Sequence, residues 1–318
     1  MPPNNPRSVY WSGRVVYTKV KETSPAKTTV LTSAISLMSY PASFTTDTKS
    51  LAALLATARK RLLQLHFDTR VGHIGGNLSA LDILMVLHHC VKQKDDVFIL
   101  SKGHAAGALY VTLWSLGVLT EDDLRQFHGE RTRMSAHPAP CWIDEIPFAT
   151  GSLGHGLPLA VGIAMGKSLR NQPGRVFCLL SDGELQEGST WESLIFVKQR
   201  QLAPLTVVID VNGLQGFGST KEVSGLELTV SKFREFGLAA REIDGHDLDA
   251  ILDAMATPSP APQVILARTH KGHGVSFMED RMEWHYLPLT EELYRQALQD
   301  LDALHVAQES RLDKIEQP

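Results

Sequence analysis

The 318-residue chain is 43% hydrophobic and 21% charged, which suits one large α/β domain or two smaller ones with ample length to bury a core. Its 31 basic and 35 acidic residues leave a formal charge of −4, too mild for a protein that grips nucleic acid or an anionic membrane by charge. The longest apolar run, around Leu205–Val211, falls far short of the roughly 20 residues that a membrane span needs.

Residues 1–48 are rich in Pro, Ser, Thr and Asn, show no sustained apolar period, and read as a tail or loosely packed arm. The weakly apolar stretch at 28–40 lies late and is interrupted by Thr and Ser, so it makes a poor signal peptide. From Ser50 the pattern changes, and 49–318 reads as a single domain. Leu51, Leu54, Leu55, Ala58, Leu62 and Leu65 recur at helical spacing and predict a first amphipathic helix. Ser79 followed by Asp82 resembles a capping box and predicts that a second helix opens there and runs to Val91. Short β-branched runs then alternate with helical stretches. Strands are expected at 96–100, 175–180, 205–211 and 263–268, with a fifth at 238–243. Helices are expected at 105–116, at 185–199 and from Thr290 onward. Strands spaced by helices imply right-handed crossovers, so the fold class is α/β, a doubly wound parallel sheet with helices on both faces. Cys90, Cys141 and Cys178 are scattered without CxxC pairing, which suggests neither a disulfide framework nor a zinc site and makes a reducing cytoplasm the expected compartment.

In such a sheet, ligands bind beyond the carboxyl ends of the strands. The residues just after each predicted strand are therefore the informative ones. Ser181-Asp182-Gly183 follows the 175–180 strand, and an acidic residue backed by glycine suits a metal ligand where backbone must approach a phosphate. Asn212 ends the next strand, 30 residues on, which is one strand–helix–strand step and places the two side chains on adjacent strand ends. Carboxylate, amide oxygen and backbone carbonyl form a hard oxygen set that fits Mg2+ or Ca2+ holding a diphosphate. Taken singly, an Asp-Gly turn and an Asn-Gly turn need no function at all.

Together the two resemble the thiamine diphosphate motif, a Gly-Asp-Gly followed about 30 residues later by an Asn, here with Ser181 in place of the first glycine. Further segments are similar, in type and order, to those of transketolases: Gly72-His73-Ile74-Gly75-Gly76, Ser101-Lys102-Gly103-His104 and Ala136-His137-Pro138. So are the glycine-rich turn at 150–156, the run at 214–218 and Glu283-Trp284-His285. The resemblance covers about 50–290 and implies the thiamine diphosphate-binding fold, with thiamine diphosphate and Mg2+ (or Ca2+) as cofactors. It matches only the amino-terminal, diphosphate-binding half of a transketolase, so the chain looks like the first subunit of a split transketolase. That implies transfer of a two-carbon ketol unit from a ketose donor to an aldose acceptor. It also implies a partner subunit carrying the pyrimidine-binding domain, and a second copy of this chain packed on the helices around 157–169 and 185–199.

The same resemblance assigns roles. Asp182, Asn212 and the Leu214 carbonyl would hold the metal. His104, Gly151, Ser152, Leu153, Gly183, Asn212 and Lys271 would contact the cofactor, with Leu153 beneath its thiazolium ring, and Glu187 would couple paired sites at the subunit interface. His73, His137 and His285 would serve the substrate hydroxyls and the proton steps, for which an unperturbed pKa of about 6.5 is suited. Ala136 and Tyr286 stand where the family commonly has glycine, and Tyr286 would narrow the channel. His273 is a further lining candidate beside Lys271, whereas His66, His88, His89, His128, His246 and His305 read as structural or solvated. Two rivals stay open. One is a specialised acyloin synthase or the α-type subunit of a 2-oxo-acid dehydrogenase; the other is a catalytically silent binding subunit.

Overall fold

The computed structural model describes residues 48–140 and 143–315, so the arm expected at 1–48 lies outside the described residues except for Thr48, which opens the first helix. Helix α1 (Thr48–Thr69) is followed by α2 (Ile74–Val86), which continues through a π-helical turn at Leu87–Val91. Strand β1 (Val97–Leu100) leads into α3 (Ala106–Ser115) and the short α4 (Glu121–Leu124). Then come α5 (Gly156–Leu169), β2 (Val176–Ser181), α6 (Gly188–Arg200) and β3 (Leu205–Val211). A two-residue ladder, β4 (Leu214–Gln215) with β5 (Gly218–Ser219), precedes α7 (Thr220–Ser224) and α8 (Val230–Glu235). The chain finishes with β6 (Ala239–Asp244), α9 (Leu248–Ala256), β7 (Gln263–Arg268) and α10 (Glu291–Ile315).

Five strands pair in parallel in the order β1-β2-β3-β7-β6. Strands β2 and β3 are buried along their whole length, the mark of a parallel sheet covered on both faces. Their side chains alternate between two cores. Phe177, Leu179 and Val208 pack with α1, α2, α3, α9 and α10, whereas Val176, Cys178, Leu180, Val207 and Ile209 pack with α5, α6 and α8. Right-handed crossovers explain the division: the chain steps one way from β1 to β3 and back from β6 to β7, so α9 lies on the opposite face from α5 and α6. The β2–β3 register pairs Ser181 with Asp210, and Asp182 and Asn212 therefore leave from neighbouring strand ends.

The second helix departs from expectation. It opens at Ile74, directly on His73, whose φ of 70° is left-handed, rather than at Ser79. Gly75 and Gly76, which lie ahead of the expected start at Ser79, are in the first helical turn, where a Cβ on Gly75 would sit 3.0 Å from Lys271 Cγ and 3.2 Å from the Trp284 carbonyl. Ser79 and Asp82 are buried within the helix and pair through their side chains instead of capping it: Ser79 Oγ donates to Asp210 at 2.7 Å, and Asp82 accepts from Arg59. The segment Ile74–Val91 is also long and apolar enough by composition to cross a membrane, yet 94% of it is buried inside the protein, as the central helix of the first core.

Two close approaches set up the carboxyl edge of the sheet. Glu184, fully buried, accepts the amide N–H groups of Ser181 and Gly154, each at 3.0 Å, and the Ser101 hydroxyl, so the ends of β1 and β2 are tied to the turn before α5. Gly103 lies so near this turn that a Cβ there would fall 2.5 Å from the Gly151 nitrogen.

Gly103→Ala is therefore expected to cost about 1–3 kcal/mol in chemical denaturation, since backbone must shift. Gly162→Ala, mid-helix with nothing within 4 Å of its new Cβ, should be neutral or stabilising. A second expectation concerns pH. Burial pushes His88 down to about 3, and His66 and His89 down to about 4, all from an unfolded value of 6.5. The folded state thus binds fewer protons, and stability present above pH 6.5 is lost as pH falls toward 4, by up to about 1.4 kcal/mol per pH unit per histidine. Thermal unfolding across that window should show the loss, with a shallower slope in His88→Leu.

Candidate functional site

A cavity of about 270 Å³ opens at the carboxyl ends of β1, β2, β3 and β7, the place the parallel topology reserves for ligands. Four histidines converge on it from four segments. His73 caps α2, His104 lies in the 3-10 turn after β1, His137 comes from the loop before residue 140, and His285 ends a 3-10 turn at Met282–His285. The His73 ring lies 5.5 Å from that of His104, 5.9 Å from His137 and 4.7 Å from His285.

Backbone contacts hold this cluster. Asn77, buried in α2, donates through Nδ2 to the carbonyls of both His73 and His104 at 2.9 Å, while its Oδ1 accepts the Ala108 amide at 2.8 Å. The His73 amide donates to the His285 carbonyl at 3.0 Å. Gly151, at φ +138°, faces the His137 ring so closely that a Cβ would lie 2.8 Å from Cδ2, which together make a side chain there untenable.

The opposite wall carries oxygen acceptors and lysine ammonium groups. Asp182 accepts the amides of Gly183 at 2.8 Å and Gly213 at 2.7 Å, and Asn212 Oδ1 accepts the Leu214 amide at 3.0 Å in an Asx turn. Burial and the neighbouring Asp210 charge push Asp182 up to about 7. Lys271, buried at the cavity wall, is brought down to about 8 by burial and the Lys102 charge. The same two influences, burial first and the lysine charges second, lower His104 well below its ordinary value and take His285 to about 3. His73 falls to about 4 through burial and the nearby His137, and His137 itself is lowered by burial. All four imidazoles are therefore neutral at pH 7.

Most of the expected site residues meet here: His73, His104, His137, His285, Gly151, Leu153, Asp182, Gly183, Asn212, Leu214 and Lys271 all line the cavity. Three do not. Ser152 is exposed and stands outside the lining, and Glu187 is exposed at the start of α6, beside Gly154. His273 is turned from the cavity and stacks on His246, with centroids 3.6 Å apart. Sequence reasoning also missed three contributors. Asn77 clasps two histidines; Lys102 and Asp210 form a buried ion pair at 2.6 Å under the cavity floor. A lysine two residues beyond a buried strand and two before His104 was the one available signal for this pair. A larger open cleft of about 820 Å³ beyond β3 and β7 contains only Asn212 of the expected residues.

Comparison with known proteins identifies the family. The family model for the transketolase thiamine diphosphate-binding domain matches residues 57–304. One of the subunits of the apulose-4-phosphate transketolase of Actinobacillus succinogenes is 34% identical over 240 residues, covering 72% of this chain and 87% of that protein. The 6-deoxy-6-sulfo-D-fructose transketolase subunit SqwG of a Clostridium species is 34% identical over 256 residues, covering 77% and 93%. Human transketolase is also 34% identical, over 80% of this chain but only 43% of its own length. The crystal structure of transketolase from Campylobacter jejuni superposes with a TM-score of 0.70 at 28% identity, covering 79% of this chain and 42% of that one. With a family match across most of the chain, and transketolase subunits matched over most of their own length, the chain belongs to the transketolase family through its thiamine diphosphate-binding domain.

Proposed function

We propose that this chain is the diphosphate-binding subunit of a split transketolase, which moves a two-carbon ketol unit from a ketose to an aldose and is active with a pyrimidine-domain partner. One observation carries the reading. Four neutral histidines, two lysines and the Asp182–Asn212 pair line one cavity at the carboxyl edge of the sheet. The residues fit the cofactor. Asp182 is a buried carboxylate with only amide donors around it, poised near 7, and a divalent cation would hold it ionised. Lys271 supplies positive charge for a diphosphate, whereas the Lys102 charge is taken up by Asp210.

In this reading Asp182, Asn212 and the Leu214 carbonyl hold the cation, Lys271 and His104 meet the diphosphate, and the Gly151–Leu153 turn bears on the rings of the cofactor. When bound, thiamine diphosphate supplies the electron sink that stabilises the carbanion. The chain's own work is positioning and proton traffic. The Lys271 ammonium can only donate, and it lies 3.2 Å from His285 Nδ1, so His285 carries its proton on Nε2 and serves as a neutral donor there. His73 and His137 are kept neutral by burial and can take or give a proton at the substrate oxygens. This histidine set is what favours sugar transfer over a 2-oxo-acid reaction, and the intact oxygen ligands argue against a silent binding subunit.

Partner surfaces support the same assembly. Phe217, 85% exposed, and the exposed Tyr286 both line the cavity mouth, where a second polypeptide would cover them. Leu169 on α5 and Ile195 on α6, 71% and 58% exposed, suit packing against a second copy. Two relatives are named for an apulose 4-phosphate and a sulfo-sugar, and we assign this chain likewise to a ketose with an anionic group.

Asp182→Ala should abolish Mg2+-dependent binding of thiamine diphosphate in calorimetric titration of the purified protein; retained binding would refute the metal assignment. The chain alone should show little turnover, and addition of a pyrimidine-domain subunit should restore transfer to ribose 5-phosphate or erythrose 4-phosphate. Full turnover without a partner, or preference for a 2-oxo-acid donor, would overturn the reading.

A further inference from the structure

Outside the cavity, among the described residues, one group of side chains has the makings of a metal site: Asp82, His246 and His273, whose ligand atoms lie within 4.8 Å of one another. Its geometry rejects an ion. The two imidazoles stack with centroids 3.6 Å apart and planes 15° from parallel, and ring lone pairs lie in those planes, so one ion about 2 Å from both is impossible without reorienting a ring. Both Asp82 oxygens are already engaged by Arg59 Nη2, at 2.7 and 2.8 Å.

What the group does have is a direction. Arg59 and Asp82 form an ion pair with both side chains almost fully buried. Asp82 accepts a hydrogen bond from His246 Nδ1 at 2.9 Å. A charged carboxylate can only accept, so the His246 proton sits on Nδ1 and Nε2 is left as an acceptor. That acceptor receives the backbone N–H of His270 at 2.9 Å. His270 is the residue before Lys271, whose ammonium reaches His285 Nδ1 in the cavity. The turn bearing His246 is pressed directly on this loop: the Gly245 amide donates to the Arg268 carbonyl at 2.7 Å, and a Cβ on Gly245 would lie 2.5 Å from Thr269 Cγ2. His273 closes the arrangement by lying flat on the His246 ring.

We propose that His246 is a positioning residue: oriented by the buried Arg59–Asp82 pair, it fixes the His270 amide and thereby aims Lys271 at the ligand cavity. The inference rests on the reading of Lys271 as a diphosphate contact. Thr269 and Gly272 anchor the loop on either side, by amides donating to the carbonyls of Val211 at 3.2 Å and Gly75 at 2.9 Å; between them the Lys271 carbonyl accepts the Asp280 amide at 2.9 Å, and the His270 amide is held by His246 at 2.9 Å.

The test uses the full chain with His246→Leu, which removes the acceptor, and His246→Gln, whose amide oxygen can replace it. Amide hydrogen exchange is read at 269–274, with β3 and β7 as controls for the fold. His246→Leu should speed exchange of the His270 amide by about tenfold or more while the strands stay protected, and His246→Gln should restore protection. Unchanged His270 exchange in His246→Leu would overturn the proposal; if that variant fails to fold, an unprotected His270 amide in a folded His246→Gln overturns it equally. Titration with thiamine diphosphate and Mg2+ then separates the two claims. His246→Leu should weaken binding about tenfold in the native background and have no further effect in Lys271→Ala. Additive losses would refute action through Lys271. No loss in Lys271→Ala itself would instead sink the diphosphate contact, leaving the exchange result to stand on its own.

Discussion

Beneath the cavity floor, Lys102 and Asp210 face each other at 2.6 Å with 1% and 0% of their surfaces exposed. Neither charge has access to water, so each depends on the other, and breaking such a pair by removing one partner typically costs about 3–5 kcal/mol. The pair is also a junction. Lys102 Nζ donates to Ser79 Oγ at 3.0 Å, and Asp210 accepts in addition the hydroxyls of Ser79 and Thr269, which brings together α2, the end of β1, β3 and the end of β7. Burial alone would raise the Asp210 carboxyl, but Lys102 and the hydroxyl donors more than reverse this and hold it below its ordinary value. The floor of the site is therefore a fixed, charged framework rather than an apolar base.

That framework shapes the electrostatics above it. The Asp210 charge adds to burial in raising Asp182, making that carboxyl reluctant to ionise until a cation is at hand. The Lys102 charge adds to burial in keeping His104 and Lys271 from holding a proton as firmly as they would in water. Imidazoles in the neutral form have a donor and an acceptor apiece, which is the state that proton traffic requires. The same pair thus primes one wall for a cation and the other for proton exchange.

The sheet was largely legible in the sequence because its inner strands are short, mainly apolar runs rich in β-branched residues, whereas β6 (Ala239–Asp244) alternates with charged residues. The expected 205–211 and 263–268 coincide with β3 and β7. Asp182, Asn212, His73 and His104 were legible because they follow strand ends or sit in glycine-rich frames, whereas His137 and His285 were legible only through the family resemblance of their segments. The start of α2 was not: glycines that permit close packing look in one dimension like glycines that permit a turn. Ser79 and Asp82 resembled a cap for a related reason, since their true partners, Asp210 and Arg59, are 131 and 23 residues away. His246 was read as structural or solvated, and only its buried partners reveal a defined tautomer.

The main sheet contains no hairpin: β1 pairs with β2 across a gap from Val97 to Val176, and β3 with β7 from Thr206 to Gln263. Helix α1 packs against α10 at the other end of the described chain, where Phe67 stacks on Tyr294 with centroids 4.4 Å apart and Lys60 pairs with Asp302. Loop-closure entropy must therefore be met before most contacts can form, which makes folding slow relative to proteins built on local contacts. On the ribosome, the first described helix can meet α2 and α3 soon after they emerge, but the face it lends to α10 stays uncovered until that far helix has been made.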